Sequence, residues 1–327
     1  MKHSFLALAA CSLFAGAATA QSSVTLFGVV DIGIARETGG PAGSALKLDG
    51  SGIHSGNRLG FRGTEDLGGG LSALFVLENG FNSDTGAIGQ GGLMFGRQAL
   101  VGIKGGFGTV SAGRHYSPHF LAVDSMDPLD GISAGAFNLL RRTTRTDNTV
   151  MYTTPSLSGF SSQLAYGFGE VAGSSSASRF IGANAAYASG PLVVKAAYHN
   201  AKNATATDST RNTYAGASYD FGPVKAILGY QVEKGVGTLD ANATMLGVQI
   251  PMGASKFMAT YIRKNDRTAA NNDARMVGLA YTYALSKRTN FYASALHISN
   301  ENTLVYRTKA GDGTGNKEFN FGIRHRF

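Results

Sequence analysis

The sequence predicts an all-β protein: an antiparallel β-barrel that crosses a membrane. Apolar and polar residues alternate along many segments of strand length, short and long connections separate these segments, and the chain begins like an exported protein. The alternation is clearest in residues 319–327, where an aromatic residue or Ile occupies nearly every odd position and a polar or small residue nearly every even one. Many such one-sided strands in an exported chain favour lipid as the partner of the apolar side.

Residues 1–20 have the features of a secretory signal. Lys2 gives a basic start, an apolar stretch follows, and small residues at 18–20 form a cleavage site, so the mature chain begins at Gln21 and has 307 of the 327 residues. A lipoprotein box ending at Cys11 is the alternative. It would leave an apolar segment shorter than a signal normally needs.

Loss of this segment changes the composition of the mature chain. It removes Cys11, the single cysteine, which excludes disulfides, thiol catalysis and thiolate metal sites. Of 29 basic and 21 acidic side chains only Lys2 is lost, so the net charge becomes +7 instead of +8. In a soluble domain this charge would indicate nucleic acid or a membrane surface as partner. In an exported chain it favours a pore that prefers anions, and no nucleic-acid partner is expected.

Strands, not helices, are expected to meet the lipid. Beyond the signal, no window approaches the roughly 18 consecutive apolar residues of a membrane helix. The 45 Gly residues and only seven Pro suit closely packed strands with tight turns. Composition alone also fits a secreted β-sandwich or an extracellular β-helix, so the spacing of the segments has to decide.

Sixteen two-sided segments follow one another, an even number, each of strand length for a tilted crossing or slightly shorter. They are Val24 to Arg36, Asn57 to Glu65, Leu71 to Phe81, Phe95 to Lys104, Thr109 to Arg114, Thr149 to Thr154, Phe160 to Gly169, Arg179 to Tyr187, Leu192 to His199, Thr213 to Tyr219, Val224 to Glu233, Ala243 to Ile250, Lys256 to Lys264, Ala274 to Tyr283, Thr289 to Ser299 and Glu318 to Phe327.

The alternation also predicts which side faces lipid. In the segment from Phe160, the even positions should touch lipid; in the segment from Leu71, the odd positions should, which leaves Glu78 on the lumen side. Because the sequence has no Trp, its 13 Tyr and its Phe side chains have to form the aromatic girdles at the membrane interfaces.

The connections form a short set and a long set. The short, turn-like set comprises residues 66–70, 105–108, 155–159, 188–191, 220–223, 251–255 and 284–288, and the long, polar set includes residues 37–56, 115–148, 200–212, 265–273 and 300–317. Short turns on one rim and long loops on the other are typical of a barrel inserted into the membrane in one direction.

Six stretches spread over the whole mature chain carry a further signal: Ser23 to Gly28, Arg58 to Leu71, Phe95 to Ala99, Phe107 to Val110, Leu285 to Thr289 and Gly322 to Phe327. Together they resemble the general porins of Gram-negative outer membranes, in the branch found in beta-proteobacteria. The resemblance implies a 16-stranded barrel over residues 21–327, a homotrimer in outer-membrane lipid, and a third loop that folds into the lumen. It also implies that the barrel-assembly machinery reads the terminal Phe327.

The longest connection, His115 to Asn148, occupies the place of that third loop. A connection of 34 residues in a compact protein usually has a function or is disordered. Three acids precede three bases in it: Asp124, Asp127 and Asp130, then Arg141, Arg142 and Arg145. Folded across a charged wall, such a loop would create a strong transverse field.

The resemblance also indicates the residues of the pore constriction. Arg58, Arg97 and Arg145 are similar in position to the basic cluster of this branch, and Glu78 with Asp124 or Asp127 to the opposing acids. Arginine suits such a wall because it stays charged and donates several hydrogen bonds in a fixed plane, useful against carboxylate or phosphate. A channel for small anions and hydrophilic solutes needs no cofactor and no catalytic group.

The facing of these arginines follows from the alternation in part. Arg58 lies on the lumen side, whereas strict alternation places Arg97 on the more apolar side of its strand. Either a bulge shifts the register there or that side packs in a subunit contact. Arg62 and Arg114 are second-rank candidates. The remaining basic side chains considered are assigned to rims or loops: Arg36, Arg263, Lys264 and Arg267.

Two other functions are compatible with a membrane barrel. The seven His residues are scattered and no helical metalloprotease motif or nucleophile elbow is present, but a triad could still assemble from distant strands of an enzyme barrel. A receptor or adhesin barrel with a plugged bore is the second alternative. Conductance separates the three, because an open trimer passes small ions in large steps.

Overall fold

The structure is a computed structural model that describes residues 23–41, 43–303, 306–308 and 315–327. The predicted signal at 1–20 lies outside the described residues. The described residues form seventeen strands, in one antiparallel sheet: β1 (Ser23–Gly40), β2 (Gly43–Asp49), β3 (Arg58–Gly68), β4 (Leu71–Gly80), β5 (Gln98–Gly105), β6 (Gly108–Tyr116), β7 (Arg145–Thr153), β8 (Phe160–Gly167), β9 (Phe180–Ser189), β10 (Leu192–Lys202), β11 (Ser209–Asp220), β12 (Lys225–Lys234), β13 (Asp240–Met252), β14 (Ser255–Asp266), β15 (Ala274–Ala284), β16 (Thr289–Asn300) and β17 (Lys317–Arg326).

The strands β2 and β3 follow one another along the same edge of β1 and together occupy the place of one strand. The barrel therefore has sixteen strand positions, as the sequence predicts. The C-terminal part of β1, from Gly33 to Gly40, pairs with β2, and its N-terminal part, from Ser23 to Val29, pairs with β3. Residues 50–57 interrupt this divided strand and turn into the barrel. On its other edge β1 pairs with β17, which closes the sheet into a barrel.

The prediction that residues Glu37 to Gly56 form one long loop is wrong. β1 continues to Gly40 and β2 begins at Gly43, so the two strands join across two residues. The segment has a strand's alternation after all, because Leu46 and Leu48 are 72% and 58% exposed on the outer face. The glycines on both sides and the short length of β2 conceal this alternation in the sequence.

Exposure along the strands confirms the predicted facing. In β17, Phe319 and Phe321 are 56% and 52% exposed, whereas Glu318 and Asn320 between them are 3% and 0% exposed. In β8, Phe160 and Leu164 are likewise exposed, whereas Ala165 and Gly167 are buried. The outer wall is therefore apolar, as a lipid-facing surface has to be.

A loop in the middle of the chain, residues 117–144, is named here the inward loop. It is shorter than the predicted connection because β6 extends to Tyr116 and β7 begins at Arg145. Ser117 begins it by accepting the backbone N–H of Phe120 at 3.1 Å, which caps the short helix α1 (Pro118–Asp124). Within the described residues, no helix has the length and apolarity needed to cross a membrane.

The inward loop packs against side chains on the lumen side of the wall. Gln249 on β13 donates to the carbonyl oxygen of Pro128 at 2.9 Å, and Ser133 donates to Glu318 on β17 at 2.7 Å. At Gly247 and Gly278 the approach is so close that a Cβ would collide with Pro128 and with the carbonyl oxygen of Ala134. The loop therefore crosses the interior of the barrel.

The hydrophobic core lies inside the barrel, between the inward loop and the wall of later strands. Its buried members from the loop include Val123, Met126, Leu129, Ile132 and Leu139, and those from the wall include Met245, Ile262, Met276 and Ile298. This packing fills one side of the bore and leaves open space beside residues 51–58 and the start of β7.

Candidate pore constriction

A cavity of about 720 Å³ lies between the inward loop and the opposite wall. The wall contributes Arg58 and Arg97, the start of β7 contributes Arg145, and the loop contributes Asp124 and Arg142. The inward-turned residues 50–57 line the same space. The structure thus brings the three predicted arginines together from separate parts of the chain.

Glu78 lies at the centre of the basic cluster. It is 3% exposed on β4; its Oε1 accepts the Arg97 Nε–H, and its Oε2 accepts Gln98 Nε2 at 3.1 Å. Arg58 lies 3.7 Å from the same carboxylate. One buried carboxylate therefore faces two of the three guanidinium groups and offsets part of their mutual repulsion.

Tyr116, at the end of β6, joins Arg97 to Arg145. Its hydroxyl accepts Arg97 NH2 at 2.7 Å and Arg145 NH2 at 3.3 Å. The Arg145 guanidinium carbon also lies 4.9 Å from the centre of the Tyr116 ring, and Arg145 Nε donates to the carbonyl oxygen of Arg97 at 3.1 Å. Sequence reasoning missed Tyr116, although it directly precedes the inward loop.

The sequence left the facing of Arg97 open, and the structure places its side chain inside the barrel. β5 begins at Gln98, so Arg97 lies in a bend before the strand and strict alternation does not apply to it. Its backbone N–H donates to the carbonyl oxygen of Glu78 at 3.1 Å, and the side chain is 8% exposed. Alternation resumes after the bend, with Val101 and Ile103 on the outer face.

The two predicted loop acids have different surroundings. Asp124 borders the cavity, and burial by the surrounding protein raises the pKa of its carboxyl, while Arg142 opposes that rise. Asp127 is 3% exposed inside the loop, where its Oδ1 accepts the N–H groups of Leu129 and Ala136 at 3.1 and 3.2 Å. Burial raises the Asp127 pKa to about 7. Asp127 thus holds the loop's own backbone instead of bordering the cavity.

Asp130 is the loop acid that borders the cavity together with Asp124. Its two oxygens accept Gln249 Nε2 at 2.8 Å and Lys256 Nζ at 2.7 Å, so it also fastens the loop to β13 and β14. Sequence reasoning named Asp130 as a charge of the loop and left it out of the constriction.

Stacked rings connect the positive charges on the loop side. Phe120 lies 5.3 Å from Tyr116 and 5.4 Å from Phe137, both close to parallel. The Arg142 guanidinium lies 4.6 Å from the centre of the Phe137 ring, at the opposite end from Arg145. Such contacts hold guanidinium groups in place without neutralising them, so the row of rings supports two positive charges at the edge of the cavity.

The second-rank basic residues do not border the cavity. Arg62 lies 5.3 Å from the centre of the Phe27 ring, and Arg114 pairs with Asp147 and donates to the carbonyl oxygen of Gly96 at 2.8 Å. The assignment of Lys264 to a rim or loop is wrong, because its side chain is 4% exposed and pairs with Glu233.

Comparison with known proteins agrees with this architecture. A family model described as Gram-negative porin matches residues 7–303. The chain belongs to the Gram-negative porin family. Among curated proteins, an outer membrane porin of Bordetella pertussis and one of Delftia acidovorans are each 35% identical to it, and each alignment covers all of both chains. The protein is therefore a porin, a channel of the Gram-negative outer membrane.

Solved structures give the same result for this porin. It resembles an anion-selective porin from Comamonas acidovorans with a TM-score of 0.81 and 32% identity over 94% of this chain and all of that one. A trimeric outer membrane protein of Vibrio cholerae, 17% identical with a TM-score of 0.68, shares the fold. The predicted family, the sixteen-stranded barrel and the outer-membrane location are confirmed.

Proposed function

We propose that this porin passes small hydrophilic solutes and ions by passive diffusion and prefers anions, with Arg58, Arg97 and Arg145 as the selective part of the constriction. One observation carries the proposal: the three guanidinium groups border one cavity, and two of them, those of Arg58 and Arg97, lie against a single buried carboxylate, Glu78. The three arginines outnumber Glu78 on their side of the cavity, and the acids Asp124 and Asp130 lie on the loop side.

The position of these charges matters more than their number. Charges on loops and rims are screened within about 8 Å at physiological salt. Charges that line a narrow bore with a low-dielectric wall are screened far less, so they lower the energy of an anion and raise that of a cation inside the bore. The net +7 of the mature chain acts in the same direction. The name of the similar Comamonas porin, which calls it anion-selective, also supports the proposal.

The loop acids are part of the proposed constriction. Asp124 lies across the cavity from the wall arginines and would give the field a transverse component. Asp127 would contribute indirectly, because its carboxylate accepts N–H groups of the loop and so fixes the shape of the loop backbone. Solutes with separated charges would then be oriented as they pass.

The proposed assembly is a homotrimer in outer-membrane lipid, inserted by the barrel-assembly machinery through Phe327. The trimeric relative of the same fold and the apolar outer wall support this. A detergent-resistant trimer on unheated gels, with an almost wholly β circular dichroism spectrum, is the expected behaviour of the purified protein. A monomer on such gels would contradict the trimer.

Recording from wild-type protein in planar bilayers tests the function. An open trimer is expected to pass KCl current in large, steady steps, and a KCl gradient should give a zero-current potential of the sign set by chloride. Absence of steps would contradict the open channel, and a potential of the sign set by potassium would contradict the anion preference.

A further inference from the structure

Three parts of the molecule meet at a buried ion pair formed by Glu233 on β12 and Lys264 on β14. The Lys264 Nζ lies 2.8 and 2.9 Å from the two carboxylate oxygens of Glu233, and the side chains are 4% and 2% exposed. β13 runs between the two strands and places Ala241 opposite Glu233 and Ala243 opposite Lys264. The small alanines leave room for the long side chains to meet across β13.

The ion pair also binds the main chain of the inward loop. The ammonium group of Lys264 has three N–H donors. Two of them donate to the carboxylate of Glu233, and Nζ also donates to the carbonyl oxygen of Leu139 at 2.9 Å. Glu233 accepts the backbone N–H of Arg141 at 3.0 Å. The buried amide of Gln231 donates to the carbonyl oxygen of Arg141 at 3.1 Å and to Glu233 at 2.9 Å. Wall side chains thus hold three backbone groups of the loop.

A second loop touches the same pair. The Lys264 Nζ lies 5.2 Å from the centre of the Tyr306 ring, in the connection between β16 and β17. Tyr306 is fixed in turn by Asn300, whose side-chain oxygen accepts its backbone N–H at 2.9 Å. The pair therefore links the wall, the inward loop and the last connection of the chain.

The backbone groups held by this pair lie directly before two charges of the constriction. Arg142 follows Arg141 and borders the cavity over the Phe137 ring, and Arg145 follows at the start of β7. The position of residues 139–141 therefore fixes the returning limb of the loop, and with it the place of Arg142.

We propose that Glu233 and Lys264 form a latch that positions the returning limb of the inward loop and keeps the pore steadily open. A buried ion pair adds little net stability, because the cost of removing its charges from water offsets their attraction. The hydrogen bonds to the loop backbone, in contrast, can form only when residues 139–141 lie in one position, so they fix that position. Glu233 and Lys264 are thus positioning residues. The latch rests on the proposed function of the cavity as the permeation path.

A charge swap tests the latch. Glu233→Lys combined with Lys264→Glu keeps an ion pair within the wall and keeps the net charge. It places a carboxylate against the carbonyl oxygen of Leu139 and an ammonium against the N–H of Arg141, so the two bonds that this pair makes to the loop are lost. A purely structural pair would tolerate the swap, whereas a latch would not.

The matched control is the same swap at an exposed pair, Arg275→Glu with Glu301→Arg. That pair is 3.0 Å apart, with side chains 55% and 45% exposed. Should the first swap fail to fold, Glu233→Leu with Lys264→Met replaces the pair by apolar side chains, which such sites often tolerate. This second variant also removes the two bonds that Glu233 and Lys264 make to the loop.

Two readouts on the full folded protein are needed. Single-channel recordings should show a several-fold rise in brief closures in the latch variants and a changed zero-current potential, while wild type and control stay alike. The backbone N–H of Arg141, which Glu233 accepts in the wild type, should exchange with deuterium several-fold faster in the folded latch variants. Steady currents, an unchanged potential and wild-type hydrogen exchange in a folded latch variant would overturn the latch. A wild type without conductance would overturn the proposed function, and the exchange comparison would still test the latch.

Discussion

Glu78 shows how a single side chain can organise like charges. Its carboxylate contacts Arg97 and Gln98 and lies 3.7 Å from Arg58, while Tyr116 links Arg97 to Arg145. Guanidinium groups stay charged and hold hydrogen bonds in a plane, so they can be fixed side by side without losing their charge. We therefore expect the arrangement to supply a local positive field that the net charge of the chain alone would not provide.

Asp127 gives a prediction on pH at the scale of one residue. Its pKa is raised from 3.8 to about 7 in the folded protein, so the folded state holds a proton that the unfolded state has released between those pH values. The wild type should therefore lose stability as the pH rises from 4 to 7, by up to roughly 4 kcal/mol for a shift of this size. Asp127→Asn removes the titrating group and keeps an acceptor for Leu129 and Ala136.

Urea unfolding of the detergent-solubilised barrel at pH 4 and pH 8 measures the difference. Relative to Asp127→Asn, the wild type should be less stable at pH 8 than at pH 4. An equal response of the two proteins to pH would show that Asp127 does not titrate in this range.

The residues that the sequence could and could not predict differ in one physical respect. Arg58 and Glu78 lie within regular strands, where alternation fixes the facing of a side chain. Arg97 lies in a bend before its strand, and Tyr116 and Asp130 act through contacts made by a folded loop. Alternation carries no information on such contacts, so their roles became visible only in the folded chain.

At the scale of elements, the divided strand made of β2 and β3 is the main departure from regular geometry. Residues 50–57 turn inward, and Asp31 on β1 holds them by accepting the N–H groups of His54 and Ser55 at 2.9 and 2.7 Å. Tyr292 on β16 donates its hydroxyl to the same carboxylate at 2.6 Å. One buried acid thus fixes a segment that borders the cavity.

Removal of that hydroxyl is expected to weaken the segment. Tyr292→Phe keeps the ring and loses a hydrogen bond to a carboxylate, which costs about 1.5–3 kcal/mol. Tyr281→Phe is the control, because the Tyr281 hydroxyl contacts only Ser255 at 3.0 Å among the described polar side chains. Urea unfolding should show a clear loss for the first variant and little for the second. Equal losses of unfolding free energy in the two variants would contradict a stabilising role for the bond to Asp31.

The element pattern was predictable where strands are long and regular. From β8 onward the predicted and observed strands overlap throughout, because lipid on one side and water or packed loop on the other impose strict alternation. β2 was missed because it has only seven residues between glycines. The course of the inward loop depends on long-range contacts such as that of Ser133 with Glu318, and the sequence pattern does not encode these directly.

At the scale of the whole molecule, Phe327 extends the seam between β1 and β17 that closes the barrel. The backbone N–H of Phe327 donates to the carbonyl oxygen of Gly28 at 3.1 Å, and the N–H of Gly28 donates in return at 3.1 Å. A Cβ at Gly28 would collide with the Phe327 ring, so the ring covers the first strand at the seam. Phe327 therefore has a structural contact in addition to its proposed role in insertion.

Deletion of Phe327 is expected to lower the amount of folded porin in the outer membrane several-fold, since both the closing hydrogen bonds and the proposed insertion signal are lost. Phe321→Leu is the control, as it changes an aromatic residue on the lipid face of the same strand. Immunoblots of outer-membrane fractions on heated and unheated gels measure the outcome. Normal levels of the deleted form would contradict both roles.

The selectivity of the whole channel tests the central claim, that the arginine cluster sets its preference for anions. Arg58→Gln with Arg145→Gln removes two positive charges from the cavity, while Arg36→Gln with Arg263→Gln removes two from exposed positions on the outer face. The zero-current potential of each folded protein in a KCl gradient is the measurement. The first pair should shift the potential strongly away from that of chloride, and the second pair should leave it close to wild type. An unchanged potential in the first pair would show that these arginines do not form the filter.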